Sequence, residues 1–171
     1  MVGNNLILVY THTMKKNKSV VLILDNLRSV YNTASLFRTA DCAGVLKIHL
    51  VGTTPTPVDK FNRLRKDFAK VSLGAEGAVA WEYTKTMAPV LTKLKKQGYT
   101  IYALEQDKKS VHYKKAKYAD YVALICGNEP YGIDKKVLTK VDTIIEIPQF
   151  GTKESLNVVV ATGIVLFEIV G

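Results

Sequence analysis

The chain has 171 residues, 47% of them hydrophobic, enough for one domain with a full core. Lysine and arginine exceed the acidic residues by 24 − 15 = 9, which suits a polyanionic partner, nucleic acid first. No apolar run approaches the ~20 residues of a membrane span, and no cation-led signal region opens the chain, so neither membrane insertion nor export is expected.

The amino-terminal stretch Met1–Lys18 starts apolar at Leu6–Tyr10 and turns basic, as a short strand or an ordered arm would. Val20–Leu24 is an apolar run of strand length, and Asp25–Val30 reads as a loop. Tyr31–Ala43 reads as a helix, capped by Asn32 and stopped by Gly44. Leu46–Val51 is the next strand. Gly52–Lys60 carries Pro55 and Pro57 and must be loop. Phe61–Val71 is densely charged, and Ala78–Trp81 reads as a short strand. Thr86–Gln97 is amphipathic, with Leu91 and Leu94 facing inward and Lys93, Lys95 and Lys96 outward. Gly98 ends it, and the strand Tyr99–Leu104 follows. A second basic stretch, Lys108–Tyr118, precedes the strand Tyr121–Cys126, a short helix Asp134–Lys140 and the strand Thr143–Ile147. Strands alternating with helices imply a mostly parallel α/β sheet with helices on both faces.

Cys42 and Cys126 form no CxxC pair. Both are expected to be buried free thiols in a reducing, cytoplasmic setting. His12, His49 and His112 have no metal-ligand spacing with Cys or acidic residues, so no metal is expected.

Two glycine-containing loops follow apolar runs, where open α/β sheets bind ligands. Gly127-Asn-Glu-Pro-Tyr-Gly132 is not a Walker loop, since Ile133-Asp134 stands where Lys-Ser/Thr is needed. The second loop, Pro148–Glu154, leads into Ser155-Leu-Asn157, with Ser155 a candidate N-cap. The residues beyond are apolar all round up to Glu168, the mark of a buried helix, although Val158, Val159 and Val160 favour a strand. GxGxxG is absent, which weighs against a nicotinamide-dependent oxidoreductase.

GNEPYG, IPQFG and SLNVVVATGIVLFE resemble the second and third motifs of the SpoU (TrmH-like) branch of the SPOUT RNA methyltransferases. The first motif of that family stands here as Asn32-Thr-Ala-Ser-Leu-Phe-Arg38-Thr-Ala40, and the resemblance runs from about Val20 to Glu168. It implies an S-adenosylmethionine-dependent transfer of methyl to a ribose 2′-hydroxyl of tRNA or rRNA. The implied fold is a single SPOUT domain over residues 1–171, with a C-terminal deep trefoil knot and no separate RNA-binding domain, acting as a homodimer. A noncatalytic RNA-binding module that kept the fold is the alternative. Ala34, Pro130 and Gln149 depart from the commoner Gly, Gly and Met. Pro130 stiffens its loop and pushes Glu129 towards extended conformations.

The resemblance implies that backbone groups at Leu104, Gly127, Ile147 and Leu156 hold the cofactor. From the residues alone, the three apolar ones read as plain core. Arg38 matches the family's catalytic arginine; its plain alternative is an i,i+3 ion pair with Asp41. A guanidinium practically never deprotonates, so Arg38 suits a cationic clamp on the adjacent phosphate and the developing alkoxide. Asn32, Glu129, Ser155 and Asn157 match the other catalytic-pocket positions, and each could be only a cap or a solvated loop residue. Arg63, Arg65 and Lys66, and then Lys108, Lys109, Lys114, Lys115 and Lys117, are the candidate RNA contacts. Tyr113 or Tyr118 could stack on a base. Either basic stretch could equally be a solvated face.

Overall fold

The computed structural model describes residues 18–128 and 130–171. The amino-terminal arm, except Lys18, and Glu129 lie outside the described residues. In chain order the elements are β1 (Ser19–Asp25), α1 (Val30–Cys42), β2 (Lys47–Val51), α2 (Lys66–Ser72), α3 (Ala75–Ala78), β3 (Ala80–Thr84), α4 (Met87–Lys96), β4 (Thr100–Leu104), β5 (Val111–His112), β6 (Tyr121–Cys126), α5 (Lys135–Leu138), β7 (Thr143–Glu146) and α6 (Val158–Val170).

The seven strands form one sheet in the order β3-β2-β1-β6-β4-β7-β5, and every pair is parallel. Parallel strands buried on both faces read as unbroken apolar runs, which is why β1 and β6 stand out in the sequence. Alternate β1 side chains serve opposite layers. Val20, Leu22 and Leu24 join Leu36, Phe37, Phe68, Val165 and Leu166 on the face covered by α1, α2 and α6. Val21 and Ile23 join Met87, Val90, Leu91 and Leu94 of α4 on the other. Phe37 and Phe68, both fully buried, meet edge to face at 5.2 Å and hold α2 on α1. From β1 the chain steps outward to β2 and β3, then returns beyond β1 to lay down β4. The crevice at the carboxyl ends of the strands around that reversal is where such sheets take ligands.

Several local expectations are corrected. Asn32 does not cap α1; Ser29 does, its Oγ accepting from Asn32 N at 3.1 Å. Ser155 does not cap α6; Asn157 Oδ1 accepts from Val159 N at 2.8 Å. The third strand is Ala80–Thr84, because residues 75–78 close a short helix first. Most of α2 falls in the charged 61–71 stretch, and the second basic stretch contains the edge strand β5. Cys42 is exposed; only Cys126 is a buried thiol. The largest difference is α6. One side packs on α1, but Val160, Ile164 and Phe167, at i, i+4 and i+7, face outward, with Val160 51% and Phe167 53% exposed. Its all-round apolar sequence therefore has two causes: the core on one side and an uncovered stripe on the other.

Candidate active site

A cleft of about 650 Å³ opens at the carboxyl ends of β4, β6 and β7. Leu104, Gly127, Ile147 and Leu156, from four separate segments, all line it. Asn32, Ser155 and Asn157 line it as well. Asn157 Nδ2 donates to Asn32 Oδ1 at 3.4 Å, joining the start of α1 to the start of α6 across 125 residues of chain.

The 127–133 loop is fixed by side chains. Asn128 Nδ2 donates to Asn26 O at 2.6 Å, and Asn128 Oδ1 accepts from Tyr131 N at 3.2 Å. Gly127 leaves no room for a side chain, since a Cβ there would sit 2.5 Å from Ile133 Cγ1 and 2.7 Å from Gly132 C. Glu105 was not singled out by the sequence, yet it is the clamp of this region. Its Oε2 accepts from Ile133 N at 2.8 Å and its Oε1 from Gln106 N at 2.9 Å. Gly132 has φ +66°, and a Cβ on it would lie 2.2 Å from Glu105 Oε2. The sequence places a carboxylate directly after a buried strand, but nothing in it pairs that carboxylate with the 127–132 loop.

The cleft floor includes Cys126, whose thiol burial pushes up to about 12, against the opposing hydrogen bond from Thr162 Oγ1 at 3.0 Å. That thiol is inert as a nucleophile at neutral pH. Glu105, Glu146 and Glu154 line the cleft, and none of its described lining residues is Lys, Arg or His. This donor set suits a cationic ligand with polar edges, and the volume is in the range of about 300–1,000 Å³ usual for small-molecule sites. No group of His, Cys, Asp and Glu that could hold a metal ion occurs among the described residues.

Arg38 does not line this cleft. It is exposed on α1, in a stripe with Tyr31, Ser35 and Cys42 at helical spacing. Among the described residues it makes no ion pair, so the alternative pairing with Asp41 is not formed.

Residues 19–167 match the model of the SpoU rRNA Methylase family. The chain belongs to that family. Among its SpoU relatives, the tRNA (guanosine(18)-2'-O)-methyltransferase of Aquifex aeolicus is 30% identical over 158 residues, 90% of this chain and 70% of the relative. The 23S rRNA (guanosine-2'-O-)-methyltransferase RlmB of Neisseria meningitidis is 34% identical over 149 residues, 87% of this chain and 57% of the relative. The crystal structure of an AdoMet-bound rRNA methyltransferase from Sinorhizobium meliloti superposes with TM-score 0.78 at 27% identity, covering 88% of this chain and 55% of that one.

The SpoU cleft carries no cation of its own among its described lining residues, so the basic stretches matter. Arg63 is held by Asp59, and Arg65 by Asp67 at 2.8 Å, so both charges are partly compensated. Lys66, Lys114, Lys115 and Lys117 are exposed, with no ion-pair partner among the described residues. Tyr118 is not available for stacking on a base. Its ring packs on Tyr102 at 5.2 Å, its Oη donates to Tyr113 O at 2.7 Å, and burial raises its pKa. Tyr113 is half-buried against the same core and stacked by His112 at 5.1 Å. No helix among the described residues is long and apolar enough to cross a membrane.

Proposed function

We propose that this SpoU-family chain is an S-adenosylmethionine-dependent methyltransferase acting on a ribose 2′-hydroxyl of tRNA or rRNA. The observation that carries the reading is the convergence of Leu104, Gly127, Ile147 and Leu156 on one cleft whose described lining has carboxylates and no cation. A sulfonium and an ammonium group are accommodated by such a lining. When bound, the cofactor supplies an electrophilic methyl group. Backbone groups at the loop ends would hold its adenine edge, and the Glu105 clamp keeps the 127–133 loop in place. Asn32 and Asn157, hydrogen-bonded to each other, orient the incoming nucleotide beside Ser155. Glu129 belongs to this catalytic set by its motif position.

Arg38 acts as the clamp on the phosphate and on charge developing at the 2′-oxygen, and it does so from a second copy of the chain. Its exposure outside its own cleft supports this, as does the uncovered Val160–Ile164–Phe167 stripe on the adjoining helix. A homodimer seated on that stripe would bury it and carry Arg38 to the neighbouring cleft. A knotted C-terminal segment belongs to the same reading. Gln106 Nε2 donates to Glu154 O at 2.7 Å, tying the loop after β4 to the stretch before α6. A reducing, cytoplasmic setting fits the two free thiols.

The test has three arms. Calorimetry should show S-adenosylmethionine binding without added metal, and light scattering should show a species of twice the 19.0 kDa chain mass. Ribose-methylation mapping of RNA from cells with and without the protein should reveal a site lost in its absence. Arg38→Ala should lower turnover by about 100-fold or more with cofactor affinity unchanged, and Arg38→Lys should rescue little. Near-full turnover by Arg38→Ala on saturating RNA, or methyl transfer to a 2′-deoxy target, would refute the mechanism.

A further inference from the structure

Between β2 and α2 the chain makes a small hairpin that the catalytic reading leaves unused. Val58 and Leu64 pair antiparallel, and Arg65 N donates to Pro57 O at 2.9 Å. At the tip, Asn62 takes φ +60°, a left-handed conformation that Asn tolerates better than most residues. Phe61 stands out from this tip, 65% exposed. Arg63 lies over its ring at 4.9 Å and Lys60 at 5.0 Å.

The two cations are held differently. Asp59 Oδ1 accepts from Phe61 N at 2.8 Å and Arg63 N at 3.0 Å, while Oδ2 accepts from Arg63 Nε at 2.9 Å and Nη2 at 2.8 Å. One carboxylate thus fixes both the turn and the guanidinium. Lys60 has no ion pair or hydrogen bond among the described residues and rests on the ring alone. Aromatic rings and guanidinium planes are the surfaces on which unpaired RNA bases stack.

We propose that this tip is a stacking platform for an unpaired RNA base. The base takes the place of Lys60 over Phe61, Arg63 stays as a fixed cation beside the ring, and Lys60 swings to a neighbouring phosphate. The location supports an RNA occupant. All strands are parallel, so the hairpin, following the carboxyl end of β2, leaves the same sheet edge as the cleft. β2 is two strands from β6, roughly 10 Å at the usual strand spacing. Lys66 and Lys70 follow immediately, so the local field favours a polyanion.

The inference rests on RNA being the substrate, and the experiment separates the two. Fluorescence anisotropy would measure binding of a fluorescein-labelled 20-mer of uridine and of bulk tRNA to wild type, Phe61→Ala, Phe61→Tyr and Lys60→Ala. Phe61→Ala should weaken binding about 5- to 150-fold, the range for losing one stacked base, with an unchanged salt slope. Phe61→Tyr should bind like wild type, and Lys60→Ala should lower the salt slope. In Phe61→Trp, added oligonucleotide should quench the new indole emission. Because Phe61 is exposed, the variants should melt like wild type. Wild type that binds RNA while Phe61→Ala binds equally well overturns the platform and leaves the methyltransferase reading intact. Phe61→Ala altering the oligomeric state instead would make the tip a protein contact and overturn the platform. Wild type binding neither RNA removes the RNA reading itself.

Discussion

Replacing Gly132 with Ala should weaken cofactor binding through two separable costs. At φ +66° an L-residue is strained by about 1–2 kcal/mol. The new Cβ would also lie 2.2 Å from Glu105 Oε2, so the carboxylate must leave. It then forfeits its 2.8 Å bond from Ile133 N, and hydrogen bonds to charged groups contribute about 1.5–3 kcal/mol. Added together, the loop loses roughly 2.5–5 kcal/mol, which weakens S-adenosylmethionine binding by about 60- to 4,000-fold where binding draws on the ordered loop. Glu105→Ala alone should cost about 10- to 100-fold, because it removes the bond without the strain. The double variant should fall short of the sum, since without the carboxylate the Ala methyl has nothing to strike. Calorimetry on the four proteins measures the cycle, with far-UV circular dichroism to verify folding. Wild-type affinity in Gly132→Ala, or strict additivity in the cycle, would refute the clamp.

Phe68→Ala should destabilise the fold by about 3–5 kcal/mol, because a fully buried ring packed on Phe37 is lost; a change below about 1 kcal/mol in urea unfolding would contradict the packing. Stability should fall as pH drops through 6.5, because burial holds the His49 imidazole below its ordinary 6.5 and the unfolded chain takes up a proton that the folded one declines. His49 Nδ1 lies 3.0 Å from Glu82 Oε1, whose charge favours the imidazolium, but burial outweighs it. A second decline should begin near pH 4.5, since Glu82, drawn down to about 2 chiefly by the Lys47 ammonium, is protonated first in the unfolded chain. His49→Asn should flatten the profile between about pH 6.5 and 5, and an unchanged slope in urea melts would rule His49 out. Lys114, Lys115 and Lys117 changed together to Ala should lower the log–log salt slope of RNA binding by about 2–3; an unchanged slope would return that stretch to a solvated face.

The sheet was legible because parallel strands buried on both faces leave continuous apolar runs, as in Val20–Leu24 and Tyr121–Cys126. The helix starts were less so. Ser29 and Asn32, then Ser155 and Asn157, are all cap-type residues within a few positions of each other, and local preference does not choose between them. At α6 a tertiary contact accompanies the choice, since Asn157 both caps the helix and donates to Asn32. The Glu105 clamp was invisible for a related reason. Its partner, Ile133 N, lies 28 residues away, and sequence spacing carries no trace of that approach.

The α6 misreading bears on function. Apolar residues on every side of a helix report total burial, and they do not say whether the covering surface belongs to the same chain. Here the described residues bury the side that packs on α1 and leave Val160, Ile164 and Phe167 outward. The charge distribution has the same form. The chain carries a formal +9, yet the cleft's described lining includes three carboxylates and no cation. A cleft so lined accommodates a cationic cofactor and repels a phosphodiester. The positive charge that brings RNA to it must come from outside that lining. In the proposed dimer Arg38, exposed on the helix that packs against α6, would supply it. In that proposed dimer, burying the stripe and supplying the missing charge to the neighbouring cleft would be one event. In that arrangement, mixing an Arg38→Ala chain with a chain crippled in its cofactor cleft by Gly132→Ala should restore part of the activity. Each mixed dimer would hold one intact cleft faced by one intact arginine. No activity above that of the two parents, in a mixture shown to exchange subunits, would place Arg38 and the cofactor in the same chain.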